Sequence, residues 1–389
     1  MNRPLRVLAL NPFHTGSHRT FLTEWIQASR HDFTVLARPG HHWKWRMREA
    51  PVTLADAVHQ RRRENWDVLF TTDMLNLAEF RGLCPRASCL PSVVYFHENQ
   101  LTYPQSENID AAAKQRDMHF AFSNFVTALA AEQVWFNSEF HRQEFLAALP
   151  GWLTRMPDGD LQTRILSLAD KSCVMYPGIH SANAVTKPSA PRNPAPLRIA
   201  WVSRWEHDKA PHVFFDAMRM LRARDCAFRL TVLGESYARV PECFAQAKHE
   251  FADVTDHWGF VKARSAYEAA LRMCDVVVST ARHEFFGLAV VEAVSNGCVP
   301  FVPQGLAYPE VLDCSGTVFH RNSPADIADK LASFASNPHG PDHRRVLQQL
   351  VRKYDWSIRA AAMDEALDQL LKNTGSGTTQ LARPDSPDV

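Results

Sequence analysis

Asp275-Val276-Val277-Val278-Ser279, then His283-Glu284-Phe285-Phe286-Gly287-Leu288-Ala289-Val290-Val291-Glu292-Ala293, then Gly297 and Val299-Pro300-Phe301-Val302, read as strand, loop, helix and strand. Short β-branched runs of this kind need cover on both faces, and a helix returning to a second such run makes a parallel crossover. The spacing predicts a helix start near Leu288, just after Gly287. A helix N-terminus presents unpaired N–H groups and the positive end of a dipole, which suits an anion such as a leaving diphosphate. Glu292 falls about one turn into that helix and Glu284 stays in the loop before it, so one carboxylate can reach a sugar and the other a ribose. Taken alone, the pair is better read as solvated glutamates flanking a βα turn.

Outward from this unit the same alternation fills the chain. Leu5–Leu10, Phe33–Leu36, Val68–Thr71, Val93–Phe96, Val134–Phe136 and Val174–Tyr176 read as strands in the first half. Ser17–Ser29, Leu54–Arg63 and Ala111–Ala130 read as helices between them. Leu197–Val202, Arg229–Leu233, Val276–Ser279, Val299–Val302 and Gly316–Phe319 repeat the pattern, with helices from Ala210, Ser265, Leu288 and Pro324. The expected architecture is α/β, two Rossmann-like domains facing each other across a cleft. The boundaries expected are 1–180, a Pro-rich linker 181–196, a second domain 197–354, a helix 355–372 crossing back to the first domain, and a disordered tail 373–389.

The 389 residues suit two domains, and 46% apolar with 22% charged residues fits globular folding. A net charge of +1 leaves no strong global field, so a polyanionic partner needs a local patch. The run Val7–Leu10 meets Asn11-Pro12 too soon for a signal-peptide core, and no apolar stretch approaches the ~20 residues of a membrane span. A cytoplasmic chain without stable membrane insertion is expected. The eight cysteines include no Cys-x-x-Cys pair and read as core thiols, with no metal site.

Three further loops carry polar residues where parallel sheets bind ligands, at the carboxyl ends of strands, and a fourth stretch is basic and aromatic. Ser203-Arg204-Trp205-Glu206-His207-Asp208-Lys209 follows Leu197–Val202 and offers Arg204 and Lys209 to a diphosphate; pairing with Glu206 or Asp208 on the surface is the alternative. Asn11-Pro12-Phe13-His14-Thr15-Gly16-Ser17-His18 follows the opening strand, and Gly16 with Ser17 as N-cap can admit a phosphate or sugar, or form an ordinary turn. Tyr95-Phe96-His97-Glu98-Asn99-Gln100 places His97, Glu98 and Asn99 at a sheet edge, where His97 can hydrogen-bond the transferred sugar or serve structure. His41, Trp43, Lys44, Trp45 and Arg46 interleave aromatics with cations and suit RNA phosphates and a stacked base. Trp43 and Trp45 packing under a helix is the competing reading.

Together these stretches resemble the retaining GT-B glycosyltransferases with a Glu-x7-Glu motif. Glu284 and Glu292 match its glutamates, Phe286-Gly287-Leu288 its donor loop, Arg204 and Lys209 its diphosphate pair, and His97 its first-domain histidine. Trp258-Gly259-Phe260-Val261 resembles the segment that meets the nucleotide base, and Asp355-Trp356-Ser357 the start of the returning helix. Ser203 and Thr15 depart from it, each standing where a glycine is usual. Gly16-Ser17-His18, Trp43-Lys44-Trp45-Arg46, Leu75-Asn76-Leu77, the run Tyr95–Leu101 and Phe136-Asn137-Ser138 with Phe140 resemble the tRNA-queuosine mannosyltransferases more narrowly. The resemblance implies metal-independent, retaining transfer of mannose from GDP-mannose to the cyclopentenediol of queuosine in tRNA, with no cofactor. A transferase for a lipid-linked sugar or polysaccharide, or a non-catalytic nucleotide-sugar or RNA-binding protein, are the alternatives.

Overall fold

A computed structural model describes residues 3–104, 111–156, 161–181, 196–236, 240–312, 316–338 and 340–377. The chain forms two compact units, Met1–Gly178 with Trp356–Val389, and Ile179–Asp355. Most of the expected linker (182–195) and of the expected tail (378–389) lies outside the described residues, as does Cys314.

The first unit holds β1 (Arg6–His14), β2 (Asp32–Pro39), β3 (Val68–Thr72), β4 (Ser92–Phe96), β5 (Gln133–Phe136) and β6 (Ser172–Val174), in the order β2-β1-β3-β4-β5-β6. All pairings are parallel. Side chains alternate between two cores, as period two requires when both faces are covered. Leu8, Leu10, Val94 and Phe96 join one core; Val7, Ala9, Val93 and Tyr95 join the other. Trp356, Ala360, Met363, Leu367 and Leu370, spaced along one face of the helix Trp356–Gly377, complete the second core. Asp364 fastens that helix, its buried carboxylate accepting from Trp25 Nε1 (3.1 Å), Ser29 Oγ (2.7 Å) and the Arg30 N–H (2.8 Å).

The second unit holds β7 (Leu197–Val202), β8 (Phe228–Leu233), β9 (Thr255–Gly259), β10 (Val276–Val278), β11 (Val299–Pro303) and β12 (Val318–His320), in the order β12-β11-β10-β7-β8-β9. These pairings are also parallel. This is the Rossmann order, reversing between β7 and β10, whereas the first unit follows the flavodoxin-like order and reverses between β1 and β3. Crevices at such reversals collect the loops that follow both flanking strands.

Several expectations are corrected. The Asn11–His14 segment continues β1 past a register shift, because its backbone still pairs with β2 as far as Pro39. The first helix is Gly16–Ala28 with Thr15 at its N-cap, so Ser17 lies inside the first turn and is exposed. The second helix runs Trp43–Gln60, earlier than Leu54, since Pro51 is accommodated within it, and it ends before Arg61-Arg62-Arg63. Asn373–Gly377 continue the final helix, with Thr374 Oγ1 bonded back to the Leu370 carbonyl at 3.0 Å. Cys89 and Cys173 are exposed, unlike the buried Cys84, Cys274 and Cys298.

Candidate active site

In the second unit, the loops after β7 and β10 meet at the reversal of strand order. The first passes through a single 3-10 turn, His207–Lys209, and is tied to the second by Thr280 Oγ1 donating to the Lys209 carbonyl (2.8 Å) and the Arg282 N–H donating to the Asp208 carbonyl (2.8 Å). Lys209 is buried between them. Its Nζ donates to the His283 carbonyl at 2.7 Å and lies 3.0 Å from Asp208 and 3.3 Å from Glu284. Burial alone would lower the lysine's proton affinity, but Glu284 and Asp208 outweigh it and hold the ammonium above the ordinary lysine range. Burial likewise works to raise the Glu284 carboxyl, while Lys209 and the Gly287 N–H keep it below the ordinary range. Both groups are therefore charged. Burial, then Lys209, pushes the His283 imidazole down to about 4 and leaves it neutral.

Glu284 Oε1 accepts the Gly287 N–H at 3.1 Å, closing the turn into the helix Leu288–Ser295. Gly287 has φ +85°, and a Cβ there would stand 2.7 Å from Tyr308 Cε1. Only glycine suits both constraints. Tyr308 is itself held by Ser279 (2.6 Å), whose carbonyl meets His320 Nε2 at 3.0 Å. Phe286 is buried against Tyr354, and Leu288 opens the helix half-buried.

Arg204 is exposed, with Nη2 3.3 Å from Glu206. The surface pairings weighed for Arg204 and Lys209 thus both exist, and for Lys209 the pair extends to Glu284. Arg204 also lines a cavity of about 150 Å³ with Gly234, Glu235, Phe260, Val261 and Ala289. Phe260, just beyond β9, is 64% exposed, an apolar ring free to cover a ligand's flat face. A Cβ on Gly234 would strike the Ser203 carbonyl, so this wall is bare backbone. Glu292 is nearly buried, accepting from Arg264 Nη1 (2.6 Å) and Tyr267 Oη (3.0 Å). Neither partner stands out in the sequence, because the pairs span 28 and 25 residues.

In the first unit, His97 follows directly on β4. Its N–H donates to Asp73 Oδ1 (3.0 Å), its carbonyl accepts from Asn137 (3.0 Å), and its ring packs on His18, Phe21 and Tyr95. Nε2 is buried and meets no hydrogen-bond partner among the described residues. Burial, then His18 and His141, drives this imidazole well below the ordinary range, so it is neutral. Asp73 was not anticipated, although a polar residue just after the apolar β3 is the same signal that marked His97. Burial, then Glu98, raises its carboxyl well above the ordinary range. Asn99, a candidate acceptor contact, is fully buried and occupied by the turn, accepting from the N–H groups of Leu101 and Thr102 at 3.0 Å. Glu98 is half-buried, with Oε1 3.4 Å from Gln100 Nε2. Gly16 has φ +48° at the start of its helix.

The aromatic and basic patch divides. Trp43 packs on Phe120, and Arg46 is held by Glu49, the Pro39 carbonyl and His41. Lys44 pairs with Asp117 at 2.5 Å. Trp45 points outward, 66% exposed, beside the exposed His41 and His42. Among the described residues no three His, Cys, Asp or Glu side chains are grouped to hold a metal, and no helix is long and apolar enough to cross a membrane.

Residues 6–179 match the family model of the tRNA-queuosine alpha-mannosyltransferase N-terminal region, and 185–354 match that of the group 1 glycosyl transferases. Among solved structures, sucrose-phosphate synthase from Thermosynechococcus elongatus superposes with a TM-score of 0.69 at 12% identity, covering 95% of this chain and all of that one. Anabaena HepE in complex with UDP and glucose gives 0.66 at 15% identity, covering 94% and 100%. Both share the GT-B fold. A Mycobacterium tuberculosis GDP-mannose-dependent alpha-(1-6)-phosphatidylinositol dimannoside mannosyltransferase is 26% identical over 48% of each chain. The Drosophila melanogaster tRNA-queuosine alpha-mannosyltransferase is 34% identical over 85% of this chain and 87% of its own. With that likeness along nearly the whole of both chains, this protein belongs to the tRNA-queuosine alpha-mannosyltransferase family of glycosyltransferases.

Proposed function

We propose that the chain transfers a mannosyl group from GDP-mannose to the cyclopentenediol of queuosine in tRNA, in the cytoplasm, with retention of configuration and without a metal. The observation that carries the donor half is the joining of the β7 and β10 loops through Lys209 and Glu284 at the strand reversal, beside a cavity that Arg204 lines. The acceptor half rests on family membership. The diphosphate lies against Arg204 and the first amides of the helix at Leu288, and Lys209 backs the same loop with positive charge. Charge building on the departing phosphate is then met by groups already in place, which is where electrostatic catalysis acts. Phe260 and Val261 cover the base, Phe286 and Gly287 shape the loop, and Glu292 takes the ribose.

Glu284 takes the hexose hydroxyls. It is ill placed as a nucleophile, because both of its oxygens already accept hydrogen bonds, from Lys209 and Gly287. Attack on the same face of the sugar, with the acceptor's proton passing to the leaving phosphate oxygen, retains configuration without a covalent enzyme intermediate. Gly16, Ser17 and the neutral His97 serve the transferred sugar. Trp45, His41 and Glu98 serve the tRNA, with Trp43, Lys44 and Arg46 as their support. The direct test is labelled GDP-mannose with tRNA from cells that make or lack queuosine, in buffer with and without chelator. Label confined to queuosine-containing tRNA, undiminished by chelator and in the α configuration, is expected. Label in both tRNAs, or in neither, overturns the acceptor; inversion overturns the same-face route.

A further inference from the structure

Glu292 sits in a helix whose neighbouring residues Val290, Val291, Ala293 and Val294 are all buried. An ionised carboxylate there needs compensation, since an unpaired buried charge costs several kcal/mol. The compensation comes from one neighbouring helix, Arg264–Arg272. Arg264 and Tyr267 are three residues apart and so share a face of it. Arg264 Nη1 reaches Glu292 Oε1, and Tyr267 Oη reaches Oε2, one fixed donor per oxygen. Arg264 is steadied in turn by Glu268, which takes its Nε at 2.8 Å.

A carboxylate has about four acceptor sites. Two are occupied here, leaving one on each oxygen. Two vicinal hydroxyl groups, as on a ribose, match that remainder. Tyr267 also lines the cavity that holds Phe260 and Val261, so the clamp stands at the wall of the nucleotide position.

We propose that Arg264 and Tyr267 are positioning residues that hold Glu292 with one open acceptor site on each oxygen, and that this arrangement makes the enzyme select a ribonucleoside diphosphate over its deoxy counterparts. The inference rests on the assignment of Glu292 to the donor's ribose. Neither residue touches the reacting sugar; both act through the carboxylate.

The test is calorimetric binding of GDP, 2′-deoxy-GDP and 3′-deoxy-GDP to the full chain and to two variants. The unaltered chain should bind GDP roughly ten- to a hundred-fold more tightly than at least one deoxy nucleotide, as loss of a hydrogen bond to a charged group entails. Tyr267→Phe removes a single hydroxyl and should reduce that ratio at least three-fold. Arg264→Met should reduce it further, and Arg264→Lys should restore part of it. A fall in affinity by the same factor for all three nucleotides would mark a merely structural role and overturn the proposal. Equal binding of the three by the unaltered chain would also overturn it, together with the ribose role of Glu292. Mannosyl transfer is judged separately by the tRNA labelling, so the two failures are distinguishable.

Discussion

The two units solve the same problem with opposite electrostatics. In the second, the residues at the strand reversal are charged and already paired: Lys209 with Glu284 and Asp208, Glu292 with Arg264. In the first, burial disfavours charge on the polar residues that follow β3 and β4, and several of their atoms are incompletely bonded. Burial holds the His97 imidazole neutral and raises the Asp73 carboxyl well above its ordinary range, and His97 Nε2, Asp73 Oδ2, Tyr95 Oη and Thr72 Oγ1 are buried without hydrogen-bond partners among the described residues. Paired charges hold a fixed field for a charged ligand. The difference fits the proposal that the diphosphate is held by the second unit, with His97 of the first serving the transferred sugar.

The largest expected effect breaks the charged side. Glu284→Ala removes both the partner of Lys209 and the acceptor of the Gly287 N–H, and should lower the transfer rate about a thousand-fold. Steady-state kinetics with GDP-mannose would check it, and near-normal turnover would deny the pair its role. Next comes a pH effect within the same unit. His320 is buried, with Nδ1 accepting the Asn322 N–H (3.1 Å), and burial lowers it to about 4. The unfolded chain takes up its proton near 6.5, so the contribution is intact above that pH and is lost as pH falls from about 6.5 to about 4. Roughly 3 kcal/mol of stability should go with it, and His320→Gln should flatten that part of a denaturation-against-pH curve.

On the other side, Asp364→Ala strands the donors of Trp25, Ser29 and Arg30 and should cost the first unit about 2 kcal/mol. Thermal unfolding would read it, with GDP affinity unchanged if the donor is held by the second unit as proposed. The smallest effect is that of Trp45→Ala. Loss of a stacking platform should weaken tRNA binding about ten-fold and leave the KM for GDP-mannose untouched. A change in that KM instead would dissolve the division of labour between the units.

The alternation of short apolar strands with amphipathic stretches made both parallel sheets legible, because a strand covered on two faces needs a continuous apolar run. Where the reading slipped, a local rule met a tertiary exception. The second helix was expected only from Leu54, yet Ala50, Leu54 and Val58 bury one continuous face that carries it back through Pro51 to Trp43. Asn11-Pro12 looked like a loop, but β2 was there to pair with it. Thr15, out of place where a glycine is usual, is tolerated because Gly40 leaves room: a Cβ on Gly40 would fall 2.1 Å from Thr15 Cγ2.

For the candidate site, the loops carrying Arg204, Lys209, Glu284 and His97 were legible, since each follows an apolar strand and so falls at the carboxyl edge of a sheet, and Glu292 was placed correctly about one turn into its helix. Their states were not visible. Sequence by itself determined which residue types stand at the ends of which strands, because hydrophobic period and turn chemistry are local. Only the tertiary structure decided that Lys209 is buried against Glu284, that Glu292 is gripped by Arg264 and Tyr267, and that Asp73 lies beneath His97. Charge state and hydrogen-bond partners depend on burial and on neighbours dozens of residues away, and no local pattern encodes either.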